Sequence, residues 1–515
     1  MQTEKEYLVL REIDAMRCES VGEYSLPDYN GDVKRVLAVN PRLSPDGKFV
    51  GDDTLEVSGG VTYDVVYIDK DDEVTHAEFS TDYSAAVRIN SQTYVDSLVK
   101  TRVAGCNLRI VGPRKLSVKC SLESDVMITE EREHSVSGDA FLEYEPETLT
   151  SIAKIHTASF VSGESREISE EMAQLDGAIS DEVEILLSDA TFSLEGVTSD
   201  EDAIEIKGAI KASVLYRNGD EAPRLVTREI AYAESLEANT YGAEALDPYV
   251  QIGRVMGSVS ATDDGVSISL SLTATSYASV ARNASFEVVN DAYFKERGCA
   301  NEYADFSYNE HVCTESRESR FEGQISLSDA GIEGGIEVIW SDAVARVDEC
   351  ALLDGSVKIS GEIRFSGIGC KSDDEINPIC YPVKFTLPFE ENVNINCQTH
   401  GNMRVNCHAT AFDAEIKITE NDAMCSCDLI LGVSLSSEKR QRCLGASNLT
   451  DEEYATDASV VTVYYPDASE SLFEIAKRFH TSVSAIAVSN RLSESALASL
   501  ERPLGAVGVN KLIIK

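Results

Sequence analysis

The stretch CQTHGNMRVNCH brings Cys397, His400, Cys407 and His408 within twelve residues. Thiolate sulfur and imidazole nitrogen are the donors zinc prefers, so four of them this close could bind it. The spacing matches no standard finger or ribbon, however, and adjacent Cys407 and His408 would point to opposite faces of a strand. Ten of the 13 cysteines lie between Cys299 and Cys443, and they have three readings. Buried free thiols are the commonest fate, because a thiol packs as a small apolar side chain; Cys425 and Cys427 would share one strand face in this way. Oxidation to cross-links between chains is the second reading and zinc the third. No resident metal and no cofactor is expected.

Other chemistry is sparse. The chain has no phosphate-binding G-x-x-x-x-G-K-[ST] loop, no G-x-S-x-G elbow, no H-E-x-x-H and no G-x-G-x-x-G after a strand. Its histidines, at 76, 134, 156, 311, 400, 408 and 480, sit in no triad context. The chain therefore reads as a non-enzyme, with catalysis in the Cys/His-rich region as the competing reading.

Charge narrows the partners. With 45 basic and 89 acidic residues the net charge is −44, which repels phosphate backbones and anionic lipid alike. Nucleic acid is not expected as a partner. The opening MQTEKEYLVLREIDAMR lacks the apolar core of a secretory signal, and no run approaches 18 apolar residues. The expectations are no membrane insertion, a cytoplasmic location in a bacterium, and cysteines that are mostly reduced.

The elements that would position any site come from an internal repeat. Residues 55–67 (LEVSGGVTYDVVY) align without gaps on 204–216 (IEIKGAIKASVLY) and 357–369 (VKISGEIRFSGIG). Alternating apolar positions make each a strand with one buried face. Gly59, Gly208 and Gly361 fall at one register, which implies a bulge or a close backbone approach. Upstream, Val36-Leu37 matches Ile185-Leu186 and Val338-Ile339, and LLSDA from Leu186 matches IWSDA from Ile339. Trp340 thus aligns with Leu187 and Ala38 and reads as core. Each strand is followed by an acidic turn, at 69–73, 217–221 and 371–375, which reads as a solvated hairpin tip rather than a calcium loop. Alternation also places strands at 108–110, 116–120, 266–272, 414–418 and 427–435. Short helices are expected near 94–100 and 167–175. The polar stretches 129–150 and 283–318 read as boundaries.

Pattern changes after Cys443. VVTVYY, 460–465, reads as a strand. Leu472, Ile475, Ala476 and Phe479 repeat at helical spacing, with Ser471 and Glu474 as a capping box. A second helix follows through Val483, Ile486 and Ala487, and 511–514 is a closing strand. The run Ser471-Leu-Phe-Glu-Ile-Ala-Lys-Arg-Phe479, then Thr481-Ser-Val483, then Asn490, resembles the LysM family. The resemblance implies a βααβ fold and ligand-facing loops that place Ser469, Glu470, Ser471 and Asn490 at a binding site. Ser469-Glu470 replaces the family's Gly-Asp, and the glycine-containing loop 505–508 is altered, which favours protein contact over glycan.

The repeats in turn are similar to the SPOCS domain of endospore-forming bacteria, through 26–37 (LPDYNGDVKRVL), the 55–67 strand and the close at 108–128. SPOCS repeats with a terminal LysM resemble a spore-coat morphogenetic scaffold. What this implies is a non-catalytic assembly protein on the mother-cell side of the forespore surface. Its partners would be other spore-coat proteins, including the basement-layer ATPase. The alternative is a peptidoglycan-binding LysM protein that recognises N-acetylglucosamine glycan. The expected architecture is mainly β: three tandem β-rich, sandwich-like modules at 1–140, 141–290 and 300–443, the last Cys-rich. A linker at 444–458 and a small α+β LysM domain at 459–515 complete it.

Overall fold

The computed structural model describes residues 3–28, 30–44, 47–219, 221–330, 334–371, 379–399, 402–454, 460–467, 469–492, 503–504 and 509–514. Strand accounts for 77% and helix for 5%, in several separate sheets, so the chain is mainly β.

One six-strand plan occurs three times. In the first unit β1 (Thr3–Ser25), β7 (Lys115–Val136) and β6 (Tyr94–Gly112) form one sheet in that order. The other sheet has β4 (Thr54–Asp69) between β5 (Val74–Arg88) and, end to end, β2 (Val33–Leu43) and β3 (Gly47–Gly51). The short helix α1 (Ala140–Glu143) leads to the second unit. There β14 (Gly265–Tyr293) pairs with β13 (Ala245–Ala261) on one side and with β8 (Glu147–Ser162) and β9 (Arg166–Asp176) on the other. The second sheet is β10 (Val183–Asp200), β11 (Ala203–Asn218) and β12 (Arg224–Glu237). The third unit pairs β15 (Arg297–Ser326), β20 (Asp422–Glu453) and β19 (Met403–Ile418). Its second sheet is β16 (Glu337–Leu353), β17 (Ser356–Lys371) and β18 (Ile379–Asn394), with α2 (Leu327–Ala330) between β15 and β16.

Within each unit the two sheets face each other across one core. Val61, Tyr63 and Val65 of β4 meet Leu116, Val118 and Leu122 of β7. Ile204, Ile206 and Ile210 meet Val266, Ile268 and Leu270 in the second unit; Val357, Ile359 and Ile363 meet Cys425, Cys427 and Leu429 in the third. Full burial of each such aliphatic side chain contributes roughly 1.5–3 kcal/mol, which is why alternation reads so clearly here.

The shared glycines mark a close approach. Each lies directly opposite an aromatic ring, in the pairs Gly59–Tyr83, Gly208–Tyr232 and Gly361–Phe389. A Cβ on Gly208 would fall 2.2 Å from the Ser193 carbonyl oxygen, and one on Gly361 1.9 Å from that of Arg346. Both carbonyls belong to the neighbouring strand, which slips register at that place.

A second irregularity joins the units. Register slips at Leu37, Leu186 and Ile339, at equivalent places in β2, β10 and β16. A bulge re-aims side chains, so two consecutive residues of each strand turn to one side. Leu37-Ala38, Leu186-Leu187 and Ile339-Trp340 therefore meet in one cluster with Val66, Leu215 and Ile368. Strand β10 lies against β4 and β5, β2 against β17 and β18, and β16 against β12, so the units close head to tail into a ring. A second junction joins Val9, Ile155, Phe286 and Phe306. A third joins Val136 and Phe141 to Phe294 and Leu444.

Several expectations need correction. Residues 94–100 and 167–175 are strand, in β6 and β9, because pairing with β7 and β14 overrides their local helical spacing. Residues 283–293 and 297–318 are also strand, in β14 and β15, because antiparallel pairing with β8 and β20 holds them. Residues 444–453, read as part of a linker, continue β20 and pair with β15; Leu444 is fully buried, which holds them in place. Residues 455–459 and most of the third acidic turn lie outside the described residues. The first acidic turn is a hairpin tip in which Asp69 accepts hydrogen bonds from the Asp71 and Glu73 amides, 2.9 and 3.0 Å.

Candidate binding surface of the C-terminal module

After β20 the order is β21 (Thr462–Tyr464), α3 (Leu472–Arg478), α4 (Val483–Asn490) and β22 (Leu512–Ile514), with β21 and β22 antiparallel. Leu472, Phe473, Ile475 and Ala476 of α3 pack on Val483 and Ile486 of α4 and on Leu512 and Ile514. Tyr293 at the end of β14 seals this core from below, its hydroxyl donating to the Thr481 carbonyl at 2.6 Å. Lys477 reaches Asp291 at 2.6 Å, so the module is docked on the second unit.

The residues expected to face a ligand divide sharply. Ser471 is 6% exposed and caps α3: its hydroxyl accepts the Glu474 amide at 3.2 Å, and Glu474 accepts the Ser471 amide at 2.9 Å. Glu470 accepts from the Tyr464 hydroxyl at 2.8 Å, the Asp467 amide at 2.9 Å and the Arg478 guanidinium at 2.7 Å. Partial burial pushes its carboxyl up, but those three donors outweigh it and hold it below the usual range. Asn490 donates to the Ile486 and Ile513 carbonyls at 2.8 and 2.7 Å and accepts the Ile513 amide at 2.6 Å. It ties α4 to β22 and makes no bond to the 469–471 loop. Ser469 alone is exposed. Three of the four residues thus spend their hydrogen-bonding groups inside the fold.

No protein-family model matches the chain, and no curated protein or solved structure does. Its chemistry has to be read from its own geometry.

The module also exposes apolar side chains. Val461, Val463 and Tyr465 recur at period two along the β21 segment and are 57%, 50% and 68% exposed. Among the described residues, β21 pairs only with β22, so its outer edge is unpaired. The sequence marked this strand through VVTVYY but gave no sign that its alternate side chains stay outside.

The Cys/His cluster disperses. Cys397 faces Cys313, with the sulfurs 3.0 Å apart, and Cys407 faces Cys350. The His408 ring instead covers Gly432 across the sheet, and His400 lies outside the described residues. Among the described residues no group of three or more His, Cys, Asp or Glu side chains is placed to hold a metal. Cys425 and Cys427 share the buried face of β20. Eleven cysteines are free thiols, while Cys370 and Cys380 are bridged across β17 and β18. Trp340 is 4% exposed inside the inter-unit cluster. No helix among the described residues is long and apolar enough to cross a membrane.

Proposed function

We propose that the chain is a non-catalytic spore-coat assembly protein, acting by protein–protein contacts at the forespore surface from the mother-cell cytoplasm. In this reading the three β units are SPOCS domains and the C-terminal module a LysM domain turned to protein binding. The partners are other coat proteins, the basement-layer ATPase among them by family resemblance. The observation that carries the reading is the contrast within the C-terminal module. Its sugar-loop positions Glu470, Ser471 and Asn490 are consumed by internal bonds, while Val461, Val463 and Tyr465 stay exposed beside an unpaired strand edge. Apolar side chains on an edge strand suit a protein partner that adds a strand or covers the stripe.

The test is the double variant Val463→Glu, Tyr465→Glu in the full-length tagged chain, followed by microscopy during sporulation. Both side chains are exposed, so the thermal midpoint should not move, while recruitment to the forespore should be lost. Normal recruitment of a folded variant would overturn the reading. Retention of the wild-type chain on insoluble peptidoglycan at low ionic strength would instead favour the glycan alternative.

A further inference from the structure

The third unit sorts its cysteines into facing pairs. Cys350 of β16 touches Cys407 of β19. The Cys313 thiol of β15 donates to the sulfur of Cys397, just beyond β18, at 3.0 Å. Each pair joins one sheet of the unit to the other, since β15 and β19 lie in one sheet and β16 and β18 in the second. Cys313 of the second pair, and Gln398 next to Cys397, line a cleft of about 640 Å³ between the second and third units, together with Lys154, Glu310, His311 and Lys439. A volume of that size admits a small organic ligand.

We propose that Cys313 and Cys397 are a redox-modification site that accepts a small-molecule disulfide through this cleft and closes into an intramolecular bridge between the two sheets. The hydrogen bond sets the order of events. Burial and the bond to Cys397 push the Cys313 thiol up to about 12, so it holds its proton. Cys397 is the nucleophile: its thiolate attacks one sulfur of the reagent, forming a mixed disulfide and releasing one small thiolate. That thiolate takes the Cys313 proton, and the Cys313 sulfur attacks Cys397, displacing the second small thiol. Two protein thiols are oxidised and one disulfide is reduced to two thiols. The bridge spans 84 residues of sequence, and its two sulfurs move together rather than across the fold.

The reduced full-length protein is incubated with oxidised glutathione under native conditions and its peptides mapped without reduction. The wild type should yield a Cys313–Cys397 linked peptide and no lasting glutathionyl adduct at either residue. Cys313→Ser should stop with one glutathionyl group on Cys397, and Cys397→Ser should leave Cys313 unmodified. A stable adduct in the wild type, a linkage between chains through either residue, or a pair that stays reduced natively yet reacts after unfolding would each overturn the proposal.

Discussion

Asp342 shows how one residue can make the whole chain sensitive to pH. It is equivalent to Asp189 and Asn40, two residues beyond the hub positions Trp340, Leu187 and Ala38 on the same strands. Burial first, and the Asp189 charge second, push its carboxyl up to about 6 despite a bond from the Ala343 amide. An unfolded aspartate titrates near 3.9. The folded state therefore binds this proton more firmly than the unfolded state, and stability falls as pH rises between those values. The contribution is complete below the unfolded pKa and gone above about 6. Asp342→Asn should consequently stabilise the protein by about 2 kcal/mol at pH 8 and by little at pH 4. Urea midpoints at the two pH values check this, and an equal gain at both would contradict it. The sequence carries SDA at 188–190 and 341–343 and Asn40 at the equivalent place in the first unit, and nothing local marks the acids as facing inward. Only the ring of units buries them.

At the scale of elements, the segment 444–453 is the sharpest disagreement between pattern and structure. Its polar composition argued for a linker, but β15 offers it a full antiparallel partner. Leu444 fills a junction with Val136, Phe141 and Phe294. Leu444→Ala should cost about 2–5 kcal/mol in chemical denaturation, whereas exposed Leu142→Ala should stay within about 0.5 kcal/mol. Matching small effects would restore the linker reading. Elements with a long regular pattern were legible: the repeated strands at 55–67, 204–216 and 357–369, and helices α3 and α4 with the Ser471–Glu474 capping box. Strand β9 was not, because it is an edge whose Glu167, Ser169 and Glu171 face water and whose single deep anchor is Met172. The site was legible only in part. Glu470 and Asn490 looked available until Tyr464, Arg478 and Ile513 were seen to satisfy them, and the partner of Cys397 lies 84 residues away. Contacts between distant residues leave no local periodicity to read.

For the whole molecule, the hub decides whether the three units unfold together. Trp340 is the only tryptophan and is buried there, so its emission reports on the ring. Leu187→Ala, in the neighbouring unit, should cost about 2–5 kcal/mol and shift Trp340 emission to the red at the same denaturant concentration at which the sheets are lost by circular dichroism. An emission change well before that loss would mean the units separate first. The hub has a further consequence for how the chain can be taken apart. Its equivalent places hold Ala38, Leu187 and Trp340, one small side chain, one medium and one large. Three alanines would leave a void and three tryptophans would collide, so no repeat can complete the seat with copies of itself. An excised repeat would carry a bare socket cut for neighbours of other sizes, and a capture assay using it would report the stickiness of that wound rather than the surface the intact chain shows.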